Sequence, residues 1–399
     1  MAGVPRQTTK ETLARVTVKA RLAFPLKKIA LMVAIGLAAL GLRLLFWEQT
    51  NTDLRFYVLK WLQYITRHGG FSALADHFSN YSPPYTYFLV LISGLPWLPA
   101  LTGIKLVSVI FDYAIALTAS AVIPGRAGVL AYTLCLFSPV VFLNSAAWGQ
   151  CDGIYTLFLL LGLAAFLKQQ NGWGFAFIAI AFSFKAQAAF LGAAALVVFL
   201  LRFKWKYLLI PPAAFLAMML PALVAGRTPW SILMVYPSQA ETYNELTKNA
   251  PNLYTFVSNQ LYDVLYPGSM IFTALAVIAL VVITLLRRRH LDGRELVLLA
   301  VFSLLLIPFL LPKMHERYFY PAAVFSLLLP FTFRRLWPVT LLLQVTTWLS
   351  YLPFLYKIPV PMPLLALLNL AALVILGIAY GRHLFPPTAA NEAASTVPV

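Results

Sequence analysis

Apolar residues run in long unbroken stretches along almost the whole chain, at roughly 29–47, 104–122, 127–144, 153–168, 173–183, 186–201, 207–225, 269–286, 295–311, 317–333, 337–354 and 362–380. A helix needs about 17 to 25 apolar residues to cross a bilayer, and most of these stretches reach or approach that length. Lipid offers no water to unpaired backbone groups, so only helices and closed barrels span it. The runs are continuous Leu, Ala, Val and Phe, without the period-two alternation of a barrel strand. The pattern predicts an all-α polytopic membrane protein with about 11–12 transmembrane helices. One stretch, 85–99, breaks the rule. It is short and interrupted by Gly94, Pro96 and Pro99, and is expected to lie as a helix on the membrane surface.

Composition sharpens this picture. The chain is 61% hydrophobic and 11% charged, against about a quarter charged in a soluble domain. The net charge of +17 would suggest nucleic acid in a soluble protein. Here the basic residues sit in short loops, no soluble basic domain exists, and orientation in the membrane accounts for them. Cys135 and Cys151 cannot form a disulfide framework. CxxC and HExxH metal signatures are absent; no cofactor is expected, with a divalent metal the less favoured alternative.

If 85–99 does not cross, Arg126, Lys168, Arg202, Lys204, Lys206, Arg287, Arg288, Arg289, Arg294, Arg334, Arg335 and Arg382 all fall on the cytoplasmic side. The expected organisation is a basic cytoplasmic segment over 1–28, one transmembrane domain over 29–382 and a disordered tail over 383–399. Residues 48–103 and 226–268 are the large outer loops. Both termini are cytoplasmic, and the membrane is the plasma (inner) membrane. Of 13 acidic residues, eight fall outside: Glu48, Asp53, Asp76, Asp152, Glu241, Glu245, Asp263 and Glu316. The chemistry is therefore expected on the outer, periplasmic face.

Four groups of residues there are candidates. Asp53 follows the first span, with Phe56, Tyr57 and Trp61 near helical spacing after it, as in an interfacial amphipathic helix. It is either a solvated loop acid or a carboxylate placed to meet a lipid head group. WGQCD supplies Trp148, Gln150 and Asp152; Asp152 alone reads equally as the cap of a helix starting at Gly153. Lys185, with Gln187, is flanked by apolar sequence, where a cation either snorkels to water or holds a phosphate. Lys313, His315, Glu316 and Arg317 crowd into five positions between apolar runs, a poor metal set but a good match for a phosphate. Asp112, inside a span, is a weaker candidate that Tyr113 or neighbouring helices could satisfy.

In order along the chain, Asp53 with Trp61, NYSPPY (Asn80–Tyr85), WGQCDGIY (Trp148–Tyr155), FKAQ (Phe184–Gln187), NAPNLY (Asn249–Tyr254) and KMHERYFYP (Lys313–Pro321) resemble the GT-C superfamily of polyprenyl-phosphate-sugar-dependent glycosyltransferases. Within it the chain looks most like bacterial relatives of the GPI mannosyltransferases. The resemblance covers residues from about 50 to 320; the last third is similar only in being helical. The resemblance implies inverting transfer of a sugar, mannose being the first to consider, from a lipid-phosphate donor to a lipid, glycan or protein acceptor. It also implies Asp53 as the base, Asp152 beside it, and Lys185, His315 and Arg317 on the phosphate. Gln187, Lys313, Glu316, Asn80, Tyr81, Trp148 and Gln150 would line the substrate. Members with a DxD pair differ from this chain, which has a single Asp at that place. The rival reading is a transporter or flippase for a lipid-linked sugar, which would gather its polar residues at the bilayer midplane and often show internal repeats. A non-catalytic scaffold subunit is a third.

Overall fold

A computed structural model describes residues 26–241 and 244–385, and the chain is helical almost throughout. Most of the basic segment expected over 1–28, and most of the tail expected over 383–399, lies outside the described residues. The main helices are α1 (Leu26–Leu44), α2 (Leu59–Arg67), α3 (Pro83–Ser93), α4 (Ala100–Val122), α5 (Gly125–Phe137), α6 (Asp152–Leu167) and α7 (Asn171–Phe184). They continue as α8 (Gly192–Leu201), α9 (Ile210–Val224), α10 (Tyr262–Arg287), α11 (Gly293–Leu310), α12 (Tyr320–Ser326), α13 (Trp337–Tyr356) and α14 (Met362–Leu384). Two short strands, β1 (Thr247–Lys248) and β2 (Met314–His315), pair in parallel, Thr247 opposite Met314 and Lys248 opposite His315.

This is an all-α polytopic membrane protein. Six helical stretches are long and apolar enough to cross a bilayer unaided: Ala100–Val122, Trp205–Val224, Asn259–Arg287, Gly293–Leu310, Arg334–Tyr356 and Met362–Leu384. Helix α5 and Pro139–Trp148 reach that length only when taken together, and they are bent by 46° where Pro139 withdraws a backbone donor. The count is lower than the 11–12 expected, for local reasons. Helices α6 and α7 and the run from Ala186 to Leu201 are shorter. The expected span 317–333 is split into a 3₁₀ turn, α12 and the short helix Leu329–Thr332. Helix α1 carries Lys27, Lys28 and Arg43. Helix α3 has 11 residues, about 16 Å of rise against a hydrocarbon core of about 30 Å, and is too short to cross.

Helix α11 is the centre of the molecule: 83% of it is buried, against α8, α12 and α14. It is apolar on every side, as a helix enclosed by other helices must be. Helices α6 and α7 form a tight antiparallel hairpin. A Cβ on Gly174 would stand 2.2 Å from Phe166 Cε1, so a side chain there would push the two helices apart. By contrast α9 and α10 leave most of their apolar surface open, at 17% and 28% buried, the surface that lipid would cover.

Candidate functional site

Two widened turns build the site. Asp53 leads into the π-helical turn Leu54–Val58, and Trp148 ends the π-helical turn Leu143–Trp148. Such turns carry one extra residue per loop of backbone and recur at functional sites. Gly149 follows Trp148 with φ at 71°, and a Cβ there would lie 2.9 Å from Leu54 Cδ2. Only glycine accepts both that backbone and that approach. The two turns are then stitched together: Asn51 Nδ2 donates to the Trp148 carbonyl at 2.9 Å, and the Leu54 amide donates to Asn51 Oδ1 at 3.1 Å.

This brings Asp53 beside the WGQ segment. Its Oδ2 accepts from Trp148 Nε1 at 3.0 Å, Gln150 Nε2 at 2.8 Å and Arg317 Nη1 at 3.2 Å. Its Oδ1 takes none of these bonds, and the side chain keeps 23% of its exposure. Tyr81 donates its hydroxyl to Gln150 Oε1 at 3.2 Å; burial holds that phenol well above 10, so it stays a donor. Arg317 reaches on to Asp152, Nε to Oδ2, at 3.8 Å. Asp152 Oδ1 pairs with the Lys185 ammonium, and its Oδ2 accepts from Asn144 Nδ2 at 3.0 Å. The ammonium also stands 5.6 Å from the ring centres of Tyr155 and Tyr318 and 5.8 Å from that of Tyr81, close enough for cation–π attraction. Asp53, Arg317, Asp152 and Lys185 thus form one line of alternating charge. Trp148 is fixed from the far side by α13, stacked on Phe354 at 4.5 Å and edge-on to Tyr351 at 5.2 Å.

Several expectations change. Asp152 does not cap a helix: it lies in the first turn of α6, Cys151 holds the cap position, and no side chain caps there. Its carboxylate turns instead to Lys185 and Asn144. Lys185 does not snorkel; it is buried at 7% exposure because a carboxylate and three rings meet it inside. The aromatic surface after Asp53 is divided, with Phe56 and Tyr57 exposed and Trp61 buried against Tyr81 at 5.1 Å.

The outer residues of KMHERY belong to a neighbouring arrangement. Lys313, with φ at 62°, places its ammonium over the rings of Tyr262 and Tyr266 at 5.0 and 5.1 Å. His315 sits in β2, its Nδ1 3.8 Å from Glu316 Oε2. Burial pulls its ring below the ordinary 6.5, Arg317 and Lys248 pull the same way, and Glu316 opposes them. Its ring stands 5.2 Å from that of Tyr318, centre to centre. Glu316 is buried and its carbonyl accepts from Ser350 Oγ at 3.2 Å. Gln187 lies in the 3₁₀ turn Ala186–Leu191 with its Oε1 buried and unpartnered. At Asn80 it is the backbone carbonyl that is engaged, by Gln239. NAPNLY docks the loop between α9 and α10 onto the end of α11: Asn252 Nδ2 donates to the Leu311 carbonyl at 3.0 Å and the Tyr254 hydroxyl to that of Leu310 at 2.8 Å.

Two cations escaped the sequence reading. Arg43 of α1 is fully buried and donates twice to Asp112 Oδ2, at 2.8 and 3.0 Å, while Ser145 donates to the same oxygen at 2.5 Å. Arg43 also holds the carbonyl of Leu136, at the bend of α5. The signal was present as one basic and one acidic residue, each inside an apolar run. Lys105 of α4 donates to the carbonyls of Phe46, Trp47 and Gln49 at 2.7, 2.8 and 2.6 Å, capping the end of α1. Among the described residues no three His, Cys, Asp or Glu side chains converge as metal ligands; the guanidinium of Arg317 occupies the space between the two carboxylates. No protein-family model and no curated protein of known function matches the chain at a meaningful level of sequence similarity.

Proposed function

We infer that the chain is a membrane glycosyltransferase of the GT-C kind, moving a sugar with inversion from a polyprenyl-phosphate donor to an acceptor hydroxyl at the outer face. The observation that carries this reading is Asp53. One carboxylate oxygen is held by an indole, an amide and a guanidinium, and the other is uncommitted in a partly open position. That is the arrangement of an oriented general base. Asp53 takes the acceptor proton as the acceptor oxygen bonds to the anomeric carbon and the bond from that carbon to the phosphate oxygen breaks. The polyprenyl phosphate departs as an anion, so cations serve it and no acid is required. Arg317 engages Asp53 through Nη1, which leaves Nη2 to a phosphate. Lys185 has two further hydrogens beyond the one facing Asp152.

Exposed tryptophans support a bilayer lying across the helices. Trp97 and Trp230 sit at the end where α1 finishes and α9 finishes, the Asp53 end; Trp173, Trp205 and Trp337 sit at the other. Indoles favour the two interfaces of a membrane. With the basic loops at the second end, the positive-inside rule puts Asp53 outside.

The test is incubation of the purified protein with a panel of polyprenyl-phosphate sugars, mannose first, reading released polyprenyl phosphate by mass spectrometry. Asp53→Asn, which keeps the shape, should lower turnover by about a hundredfold or more with donor binding largely intact. Normal turnover in folded Asp53→Asn refutes the base assignment. Passage of labelled lipid-linked sugar across reconstituted vesicles, with no release from any donor, favours a flippase instead.

A further inference from the structure

A second concavity opens at the opposite end of the α6–α7 hairpin. It is a cavity of about 600 Å³, lined by Asn171, Trp173, Lys204, Lys206, Tyr207 and Ile210 among others. The 16 residues of α6 separate it from Asp152 by about 24 Å of helix, so it stands at the other face of the molecule. Arg202 shapes the wall, donating to the Phe166 carbonyl at 2.9 Å and Asn171 Oδ1 at 3.1 Å.

The chemistry of the lining points to one class of ligand. Lys204 and Lys206 are exposed, and neither is in an ion pair among the described residues. Among the described residues the acids at this end are already engaged: Asp292 and Glu295 form the capping box of α11, and Glu295 pairs with Arg288 at 3.0 Å. Two cations therefore face the cavity without a counter-charge. Trp173 and Trp205 are exposed beside them, as indoles are at head-group level. At Ile210 the wall passes into α9, with Leu208 and Leu209 exposed just before the helix and Leu216 exposed on it. A free anion has no use for that apolar continuation, whereas the acyl chains of a lipid do. We propose that this cavity binds the head group of an anionic phospholipid, its phosphodiester between Lys204 and Lys206 and its chains along α9. The proposal stands independently of the transferase reading.

The experiment is native mass spectrometry of the full chain in detergent with equal amounts of phosphatidylglycerol and phosphatidylcholine. The wild-type protein should retain phosphatidylglycerol preferentially. Lys204→Gln with Lys206→Gln should erode that preference by about fivefold per lysine, the worth of one cation near an anionic lipid. Lys204→Arg with Lys206→Arg should keep it. Brominated phosphatidylglycerol should quench the fluorescence of Trp173, identified by its absence in Trp173→Phe, more than brominated phosphatidylcholine does. Equal retention of the two lipids by the wild type, or an undiminished preference in the glutamine variant, overturns the proposal. Loss in the arginine variant equal to that in the glutamine variant overturns it as well. Displacement of the lipid by inorganic phosphate would reassign the cavity to a soluble anion.

Discussion

Removing one member of the Asp152–Lys185 pair should destabilise the protein far more than removing both. Lys185→Met keeps the aliphatic stem and deletes the ammonium. It strands a carboxylate whose side chain is 0% exposed, with Asn144 at 3.0 Å and Arg317 at 3.8 Å as its remaining partners. Breaking a buried ion pair costs about 3–5 kcal/mol. The second cation at 3.8 Å places this case at the lower end, about 3 kcal/mol or ~5 °C in the unfolding midpoint. Asp152→Asn added to Lys185→Met removes the stranded charge, and the double variant should recover about 2 kcal/mol of that loss. Tryptophan fluorescence of the purified protein during thermal unfolding reads both variants against wild type. A single variant within ~0.5 kcal/mol of wild type, the scatter of surface substitutions, refutes the buried pair. A double variant as unstable as Lys185→Met would show that packing of the stem, and not the stranded charge, matters.

Three further outcomes follow from the geometry. Gly149→Ala should be defective in both folding and transfer, because its Cβ would meet Leu54 at 2.9 Å on a backbone at φ 71°; wild-type activity would contradict the close approach of the two π-turns. His315 is held below 6.5 in the folded protein, so the unfolded chain binds the proton first as pH falls, and stability should decline as pH drops through 6.5 and level off below the folded value. His315→Asn should flatten that part of a pH–midpoint curve, and an unchanged slope would clear His315 of the effect. Single cysteines from His68→Cys and His290→Cys, in a background lacking Cys135 and Cys151, should react with an impermeant thiol reagent from opposite sides of sealed vesicles; labelling from one side only would overturn the proposed topology.

Much of the helical frame was legible because lipid imposes a one-dimensional rule, a run length, on each segment. The break at Gly94, Pro96 and Pro99 follows directly on the end of α3, which stops at Ser93 after 11 residues. The run length misled where an apolar segment is enclosed by protein instead of lipid: 317–333 is apolar enough to cross, yet its Pro321 and Pro330 sit at the starts of separate short helices. The candidate side chains were also legible, since Asp53, Trp148, Gln150, Asp152, Lys185 and Arg317 do meet. Their pairing was not, because each acid and base was weighed in its own loop. Geometry within the sequence contained one of the pairs. In an antiparallel hairpin that turns at 168–170, residues 152 and 185 are equidistant from the turn to within one residue and come side by side. No such symmetry joins Arg43 to Asp112, which lie on helices 69 positions apart; there the only clue is that two lone opposite charges in apolar runs have a strong reason to find each other.

Lys105 gives the Asp53 loop a property beyond position. Between the end of α1 and Asp53 the chain passes Phe46, Trp47 and Gln49, and one ammonium from α4 gathers the carbonyls of all three. A loop tied at its root in this way has lost its freedom at the moment of folding, not when a ligand arrives. Its carboxylate therefore meets an incoming molecule already aimed, and the reorganisation that water or a slack loop would undergo is absent from the encounter. The tether makes the loop between α1 and α2 a preorganised part of the rigid helical frame, and couples any shift of α4 along its axis directly to the oxygen that Asp53 presents.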